Sequence, residues 1–269
     1  MIQYLYLGHV GYDEGLRLQA EIAALRLEGR VENVLLLLEH PPVLTLGRNA
    51  QRANVLASDE MLASRGVALH EINRGGDVTY HGPGQLVGYP IFDLRSLKNA
   101  AGERLGPVDF VRMMEEALIR LCGVYGVRAG RVAGLTGVWC GENQHERKIG
   151  AIGIHVARGI TSHGFAFNVR TDLEDFQLIN PCGITDRAVT SLELEVARPD
   201  ELPGLEEIAQ QAARQFGQVF ERQVLAVDSL DALRAIASGA LPVTTEDTPL
   251  RVPAEVGRLH GDVERPARA

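Results

Sequence analysis

The amino-acid sequence predicts one mixed α/β or α+β domain, and three observations carry that expectation. The apolar run Val34-Leu35-Leu36-Leu37-Leu38 reads as a strand buried on both faces. Pro107 opens a segment in which Phe110, Val111, Met114, Ala117, Leu118 and Leu121 recur at helical spacing, the clearest amphipathic helix of the chain. Thr136–Cys140, Lys148–Val156 and Thr161–Val169 read as strands, the last two joined by a short turn at Ala157–Ile160.

The other elements follow in order. Residues 2–7 (Ile-Gln-Tyr-Leu-Tyr-Leu) form an opening strand. Residues 11–28 place Leu16, Leu18, Ile22, Leu25 and Leu27 on a helix that Gly29 ends. Pro41-Pro42 interrupts the apolar pattern after Val34–Leu38, and Val43–Leu46 resumes it. Residues 59–65 suit a short helix and 67–73 a strand. Arg74 to Gln85 is rich in glycine and is expected to be irregular. Leu86–Phe92 reads as a strand and 204–221 as a helix. From about residue 240 the composition shifts to Pro242, Pro249, Pro253 and Pro266 with scattered charges, as in a partly disordered tail.

Bulk properties narrow the function. The chain has 269 residues, 45% hydrophobic and 23% charged, enough to bury a core without staples. Its formal net charge of -8 argues against nucleic acid as a partner. The first fifteen residues lack the basic and apolar regions of a signal peptide, and no apolar run approaches the roughly 20 residues that span a bilayer. The three cysteines, Cys122, Cys140 and Cys182, form no even-numbered framework and no CxxC pair, so a reducing, cytoplasmic setting is expected.

Four segments can carry chemistry. In Arg74-Gly75-Gly76-Asp77-Val78-Thr79-Tyr80-His81-Gly82-Pro83-Gly84-Gln85, the glycines let a ligand approach the main chain, and Arg74, Thr79, Tyr80 and His81 supply polar groups. A tight double turn would also use these glycines, but the segment is neither GxGxxG nor a P-loop. In Lys148-Ile149-Gly150-Ala151-Ile152-Gly153-Ile154-His155, small residues thin a strand where a ligand can approach. In His163-Gly164-Phe165-Ala166-Phe167-Asn168, alternation puts the two phenylalanines on one face and a strip of small side chains on the other, leaving a slot for a narrow ligand such as a linear acyl chain. In Asn180-Pro181-Cys182-Gly183-Ile184, proline and glycine place Cys182 on a sharp turn, whereas Cys122 and Cys140 sit inside elements. The eight histidines are scattered and form no metal-ligand spacing, and there is no Gly-x-Ser-x-Gly elbow.

Taken together, these segments, with Glu39-His40-Pro41-Pro42-Val43 and Thr45-Leu46-Gly47 upstream, resemble the lipoate-protein ligase B family of octanoyl-[acyl carrier protein]:protein octanoyltransferases in order and spacing. The likeness is close over about residues 30–195 and looser in the flanking helices. Phe167 stands where a leucine is commoner, and the tail is longer than usual. The resemblance implies a mixed β-sheet flanked by helices, as in the catalytic domain of biotin and lipoate protein ligases. It implies a catalytic domain over residues 1–239, with 240–269 as the tail. It implies transfer of an octanoyl (or lipoyl) group from the thioester of acyl carrier protein to a lysine of lipoyl domains, those of 2-oxoacid dehydrogenase complexes and of the glycine cleavage H protein. The matched positions make Cys182 the acyl-thioester nucleophile and Lys148 the residue that lowers its pKa. The substrate-binding positions are Arg74, Gly75, Gly76, Asp77, Val78, Thr79, Tyr80 and His81, then Ala151, Ile152 and Gly153, then Gly164, Phe165 and Ala166. No cofactor or metal is expected, nor a membrane partner, and the enzyme is expected to be a monomer. Two other readings are an ATP-dependent lipoate ligase and a non-catalytic acyl-binding protein on the same fold. Cys182 and the missing phosphate motif favour transfer.

Overall fold

The computed structural model of the chain describes residues 1–99, 102–142, 145–180 and 187–240. Its centre is an eight-stranded mixed sheet in the order β11-β1-β2-β6-β10-β9-β8-β7. These strands are β1 (Ile2–His9), β2 (Asn33–Glu39), β6 (Gln85–Ile91), β7 (Ala129–Val132), β8 (Leu135–Cys140), β9 (Arg147–Ala157), β10 (Ile160–Asn168) and β11 (Val224–Ala226). A smaller sheet, β4-β3-β5, uses Ala68–Glu71, Val43–Leu46 and Val78–His81. The helices are α1 (Tyr12–Leu27), α2 (Asp59–Ser64), α3 (Pro107–Val124), α4 (Leu192–Glu195), α5 (Leu205–Val219) and α6 (Leu230–Ala237).

Sequence chemistry accounts for these elements. Every residue of β2 is buried, because the large sheet is covered on both faces. On one face Phe110, Met114, Leu118 and Leu121 of α3 and Ile208, Ala212 and Phe216 of α5 pack against Leu35, Leu37, Phe165 and Phe167. On the other, Leu18 and Ile22 of α1 and Leu233 of α6 pack against Leu36, Leu38, Val87 and Ile91. Pro107 occupies the first turn of α3, where its missing N–H costs nothing, and the Asp109 carboxylate accepts the Gly106 N–H. Gly29, at φ +73°, terminates α1 in the left-handed conformation that glycine adopts without penalty. The small sheet has its own core, in which Leu44, Val78 and Tyr80 meet Phe176 and Leu178.

The structure differs from the sequence expectation in one instructive place. Val78–His81 is not irregular: it forms β5, antiparallel to β3, with Leu44 opposite Tyr80 and Thr45 opposite Thr79. The flanking glycines are turns, but Val-Thr-Tyr-His between them are β-forming residues that a partner strand captures.

Gly88, in the middle of β6, tests how tightly the large sheet is packed. A Cβ there would lie 2.2 Å from the Phe165 ring, which itself stacks on Phe216. Gly88→Ala is expected to cost about 1–3 kcal/mol through overpacking. Gly123→Ala, in α3 with no atom of the described residues within 4 Å of its added Cβ, is expected to stabilise by about 0.4–1 kcal/mol. Urea unfolding of the two variants checks both signs.

Candidate active site

The register of β9 with β8 ends at Gly150, so the stretch Ala151–Ala157 runs on past β8. A cleft of about 650 Å³ straddles this edge. The glycine-rich turn before β5 docks on it, with the Gly75 N–H donating to the Ile154 carbonyl at 2.9 Å. The approach is close: a Cβ on Gly153 would lie 2.6 Å from the Gly75 carbonyl oxygen. Only glycine fits there.

A β-bulge sets the direction of Lys148. Val138 pairs with Gly150, but the next residue, Trp139, pairs with Lys148, so Ile149 is the extra residue. Plain alternation would align Lys148 with Gly150 and Ile152. Instead both Ile149 and Gly150 face α3, against the core that includes Leu118 and Phe167. Lys148 then shares the cleft with Ala151 and Gly153. Its ammonium lies 4.7 Å above the Trp139 ring, a cation–π contact in a buried setting.

Arg74 brings a buried cation to the opposite wall. Its guanidinium donates to the Thr45 carbonyl at 2.7 Å, to the Thr45 hydroxyl at 2.9 Å and to the Gly75 carbonyl at 3.1 Å. Three buried histidines stand nearby. His40 Nδ1 donates to the Val10 carbonyl (2.6 Å), so its Nε2 accepts from the Tyr89 hydroxyl (2.7 Å). His81 Nδ1 meets Gln85 Oε1 at 2.8 Å, and Gln85 in turn donates to Asn168 Oδ1 at 2.9 Å. His81 must therefore carry its proton on Nδ1 and keep its Nε2 lone pair. His163 contacts Asn73 Oδ1 at 2.7 Å and adopts φ +55°, a left-handed conformation rare outside glycine and concentrated at functional sites.

These histidines are held neutral. Burial is the main cause in each case, and it pushes His40 and His163 down to about 4 and His81 to about 3. The neighbouring Arg74 charge adds to the effect at His163 and His81. An unfolded histidine titrates near ~6.5, so their stabilising contribution is complete above that pH and is lost as pH falls through the folded values. With three such groups, stability is expected to fall by up to about 4 kcal/mol per pH unit between about pH 6 and about pH 4. Urea unfolding at successive pH values checks this. A midpoint that stays flat between about pH 7 and pH 5 would contradict it.

The cleft brings together most of the residues singled out in the sequence. Arg74, Gly75, Gly76, Asp77, Val78, Thr79, His81, Lys148, Ala151, Ile152, Gly153, Gly164, Phe165 and Ala166 all line it. Tyr80 does not. It alternates with Thr79 and His81 on β5, so its ring packs on Phe176 and its hydroxyl donates to Asp175 at 2.8 Å. Cys182 lies outside the described residues. On either side of it, the Asn180 N–H donates to the Asn54 carbonyl, and Ala188 and Thr190 hydrogen-bond the main chain of Lys148, each at 2.9 Å. Sequence reasoning missed Tyr12, Tyr89, Val108, Val111, Arg112 and Leu135 in the lining. Val108 did leave a signal: it is an apolar residue off the buried stripe of α3 and is 71% exposed. Tyr12 and Tyr89 left none, because the ring contacts of both with His40 join segments far apart in the sequence.

Known proteins share this sequence and fold. The model of the lipoyl protein ligase A/B catalytic domain matches residues 11–217. The octanoyltransferase of Acidobacterium capsulatum is 62% identical over 233 residues, covering 85% of this chain and 94% of that protein. That of Koribacter versatilis is 52% identical over 262 residues, covering 97% and 98%. Among solved structures, a lipoate-protein ligase A bound with ATP superposes with a TM-score of 0.66 at 18% identity, covering 89% of this chain and 94% of the other. The bipartite lipoate protein ligase of Thermoplasma acidophilum gives 0.64 at 18% identity, covering 89% and 91%. At such identities the structural likeness speaks to the fold: a mixed sheet flanked by helices, as in lipoate ligases. The chain therefore belongs to the lipoyl protein ligase A/B catalytic domain family.

Proposed function

We propose that this chain is an octanoyltransferase that moves an octanoyl group from the phosphopantetheine thioester of acyl carrier protein to a lysine of a lipoyl domain, through a thioester on Cys182. The observation that carries the proposal is the cleft itself. It unites the buried Lys148 with strips of small residues from β9 and β10, in a volume of about 650 Å³, within the range of small-molecule sites. The name octanoyltransferase, borne by relatives along nearly their whole length, supports the same reading.

In this mechanism the Cys182 thiolate attacks the donor thioester. The Sγ–carbonyl bond forms and the carbonyl–phosphopantetheine sulfur bond breaks. Lys148 protonates the departing thiolate and then receives a proton from the incoming amine. The amine nitrogen attacks the acyl-enzyme, an amide forms, and the Cys182 thiolate is restored. The first step exchanges one thioester for another and the second runs downhill, so no ATP is consumed. Backbone N–H groups of the glycine-rich segments are suited to hold the developing oxyanion. Arg74 through Thr79 and His81, with Ala151–Gly153 and Gly164–Ala166, enclose the acyl chain. Tyr80 supports β5 from behind.

The return of the chain supports a role for Cys182 beside Lys148: residues 188–190 pair with the Lys148 main chain only a few residues after the cysteine. Acceptors are the lipoyl domains of 2-oxoacid dehydrogenase complexes and the glycine cleavage H protein, and the enzyme acts as a cytoplasmic monomer. Among the described residues, no helix is long and apolar enough to cross a membrane. The test is to incubate the full chain with octanoyl-acyl carrier protein and a lipoyl domain, without ATP, and weigh the acceptor. One octanoyl group on its lysine is expected. Transfer that requires ATP and free octanoate would sink the proposal in favour of a ligase.

A further inference from the structure

We propose that Glu115, which does not itself line the cleft, is a positioning residue for Lys148: its buried carboxylate holds Gly137, and Gly137 holds the bulge that turns the lysine into the cleft. The functional consequence rests on the reading of Lys148 given above, whereas the geometric claim is independent of it.

Three observations converge. Glu115 is a fully buried acid in the middle of α3, where an apolar residue would otherwise serve. Its Oε1 accepts the Gly137 N–H at 3.0 Å, while Oε2 receives Arg112 at 2.7 Å and Arg131 at 3.0 Å. The two arginines neutralise the carboxylate, and one oxygen stays committed to the strand.

Gly137 needs that partner. Among the described residues it has no register partner in either ladder of β8, because the β7 pairing jumps from Leu135 to Trp139 and the β9 pairing begins at Val138. A buried N–H left out of a ladder must find another acceptor. Its φ of +122° also demands glycine.

Gly137 also faces the lysine stem. A Cβ there would stand 2.5 Å from the Gly150 carbonyl and 3.5 Å from Lys148 Cε. Gly150 and Lys148 flank the extra residue Ile149. The carboxylate thus fixes the strand segment that faces the bulge. Without it, β8 can regain regular pairing and rotate Lys148 toward the α3 face.

The sequence supplies an unusually clean assay, since Lys98 and Lys148 are the only lysines of the chain. Competitive labelling of the full-length protein with isotope-coded acetic anhydride at one pH reads Lys148 reactivity by peptide mass spectrometry. Exposed Lys98 is the internal reference. Glu115→Ala is expected to change the Lys148/Lys98 ratio several-fold. It should also lower kcat for octanoyl transfer by about 100-fold, the scale of a misplacement near 1 Å, with little change in KM. Glu115→Gln keeps an oxygen for Gly137 while losing the ion pairs. It should melt earlier yet label Lys148 as the parent does. Gly137→Ala keeps the carboxylate but forces the bulge apart, and it should label like Glu115→Ala, which preserves the test if Glu115→Ala fails to fold. A folded Glu115→Ala or Gly137→Ala protein with the parental labelling ratio would overturn the proposal. If labelling shifts while Lys148→Ala transfers octanoate at the parental rate, the positioning stands and the chemical role of Lys148 falls.

Discussion

On the proposed mechanism, Cys182→Ala is expected to lower kcat/KM for octanoyl transfer by about 10⁴-fold or more, the usual consequence of deleting a covalent nucleophile. The other two thiols provide the contrast. Cys122 and Cys140 lie at 0% and 1% exposure inside α3 and β8. Burial pushes the Cys140 thiol up to about 12 and that of Cys122 well above its ordinary value. Both are therefore protonated at neutral pH and inert toward thioesters. Cys122→Ala or Cys140→Ala should retain transfer and lose only stability. Single-turnover rates of the three variants check this. Comparable losses in all three would point to a fold effect and away from nucleophilic catalysis.

Lys148→Ala is the second large effect. On the proposed mechanism it removes the cation that favours a thiolate and the group that shuttles the proton, so a loss of about 10²–10³-fold is expected. The pH profile should change as well. An unassisted thiol titrates near ~8.5, so the variant should gain rate with rising pH beyond the parental optimum. Acyl-enzyme formation measured across pH separates this from a packing defect, because collapse of the Trp139 contact alone would not move the profile. An unchanged pH optimum would remove Lys148 from the chemistry.

How far the sequence foretold this molecule depended on the range of the forces involved. β2, α3, β9 and β10 announce themselves through local periodicity, since burial of one face or two is written into neighbouring residues. β7 and β11 are only 4 and 3 residues long and exist because longer strands pair with them. β5 was hidden by its glycine neighbours. Helix α6 had a legible cap in Ser229, whose hydroxyl accepts the Ala232 N–H, but sits among weaker signals.

The candidate site divides in the same way. Its glycines and small residues are legible because close approach to a main chain permits nothing larger. The direction of Lys148 is not, because a single extra residue at Ile149 reverses the face that alternation assigns. The turned-away ring of Tyr80 follows only once β5 is known to be a strand. The neutral cluster of His40, His81 and His163 is invisible in one dimension, since it depends on burial and on a tautomer fixed by Gln85 and Asn168.

The most direct test of the central claim is the mass of the intact full-length protein after mixing with octanoyl-acyl carrier protein, with no acceptor present. A gain of one octanoyl group is expected, mapped to the Cys182 peptide, released on addition of a lipoyl domain and absent from Cys182→Ala. An adduct that persists in Cys182→Ala, or transfer to the lipoyl domain through a protein that never gains mass in rapid quench, would contradict it.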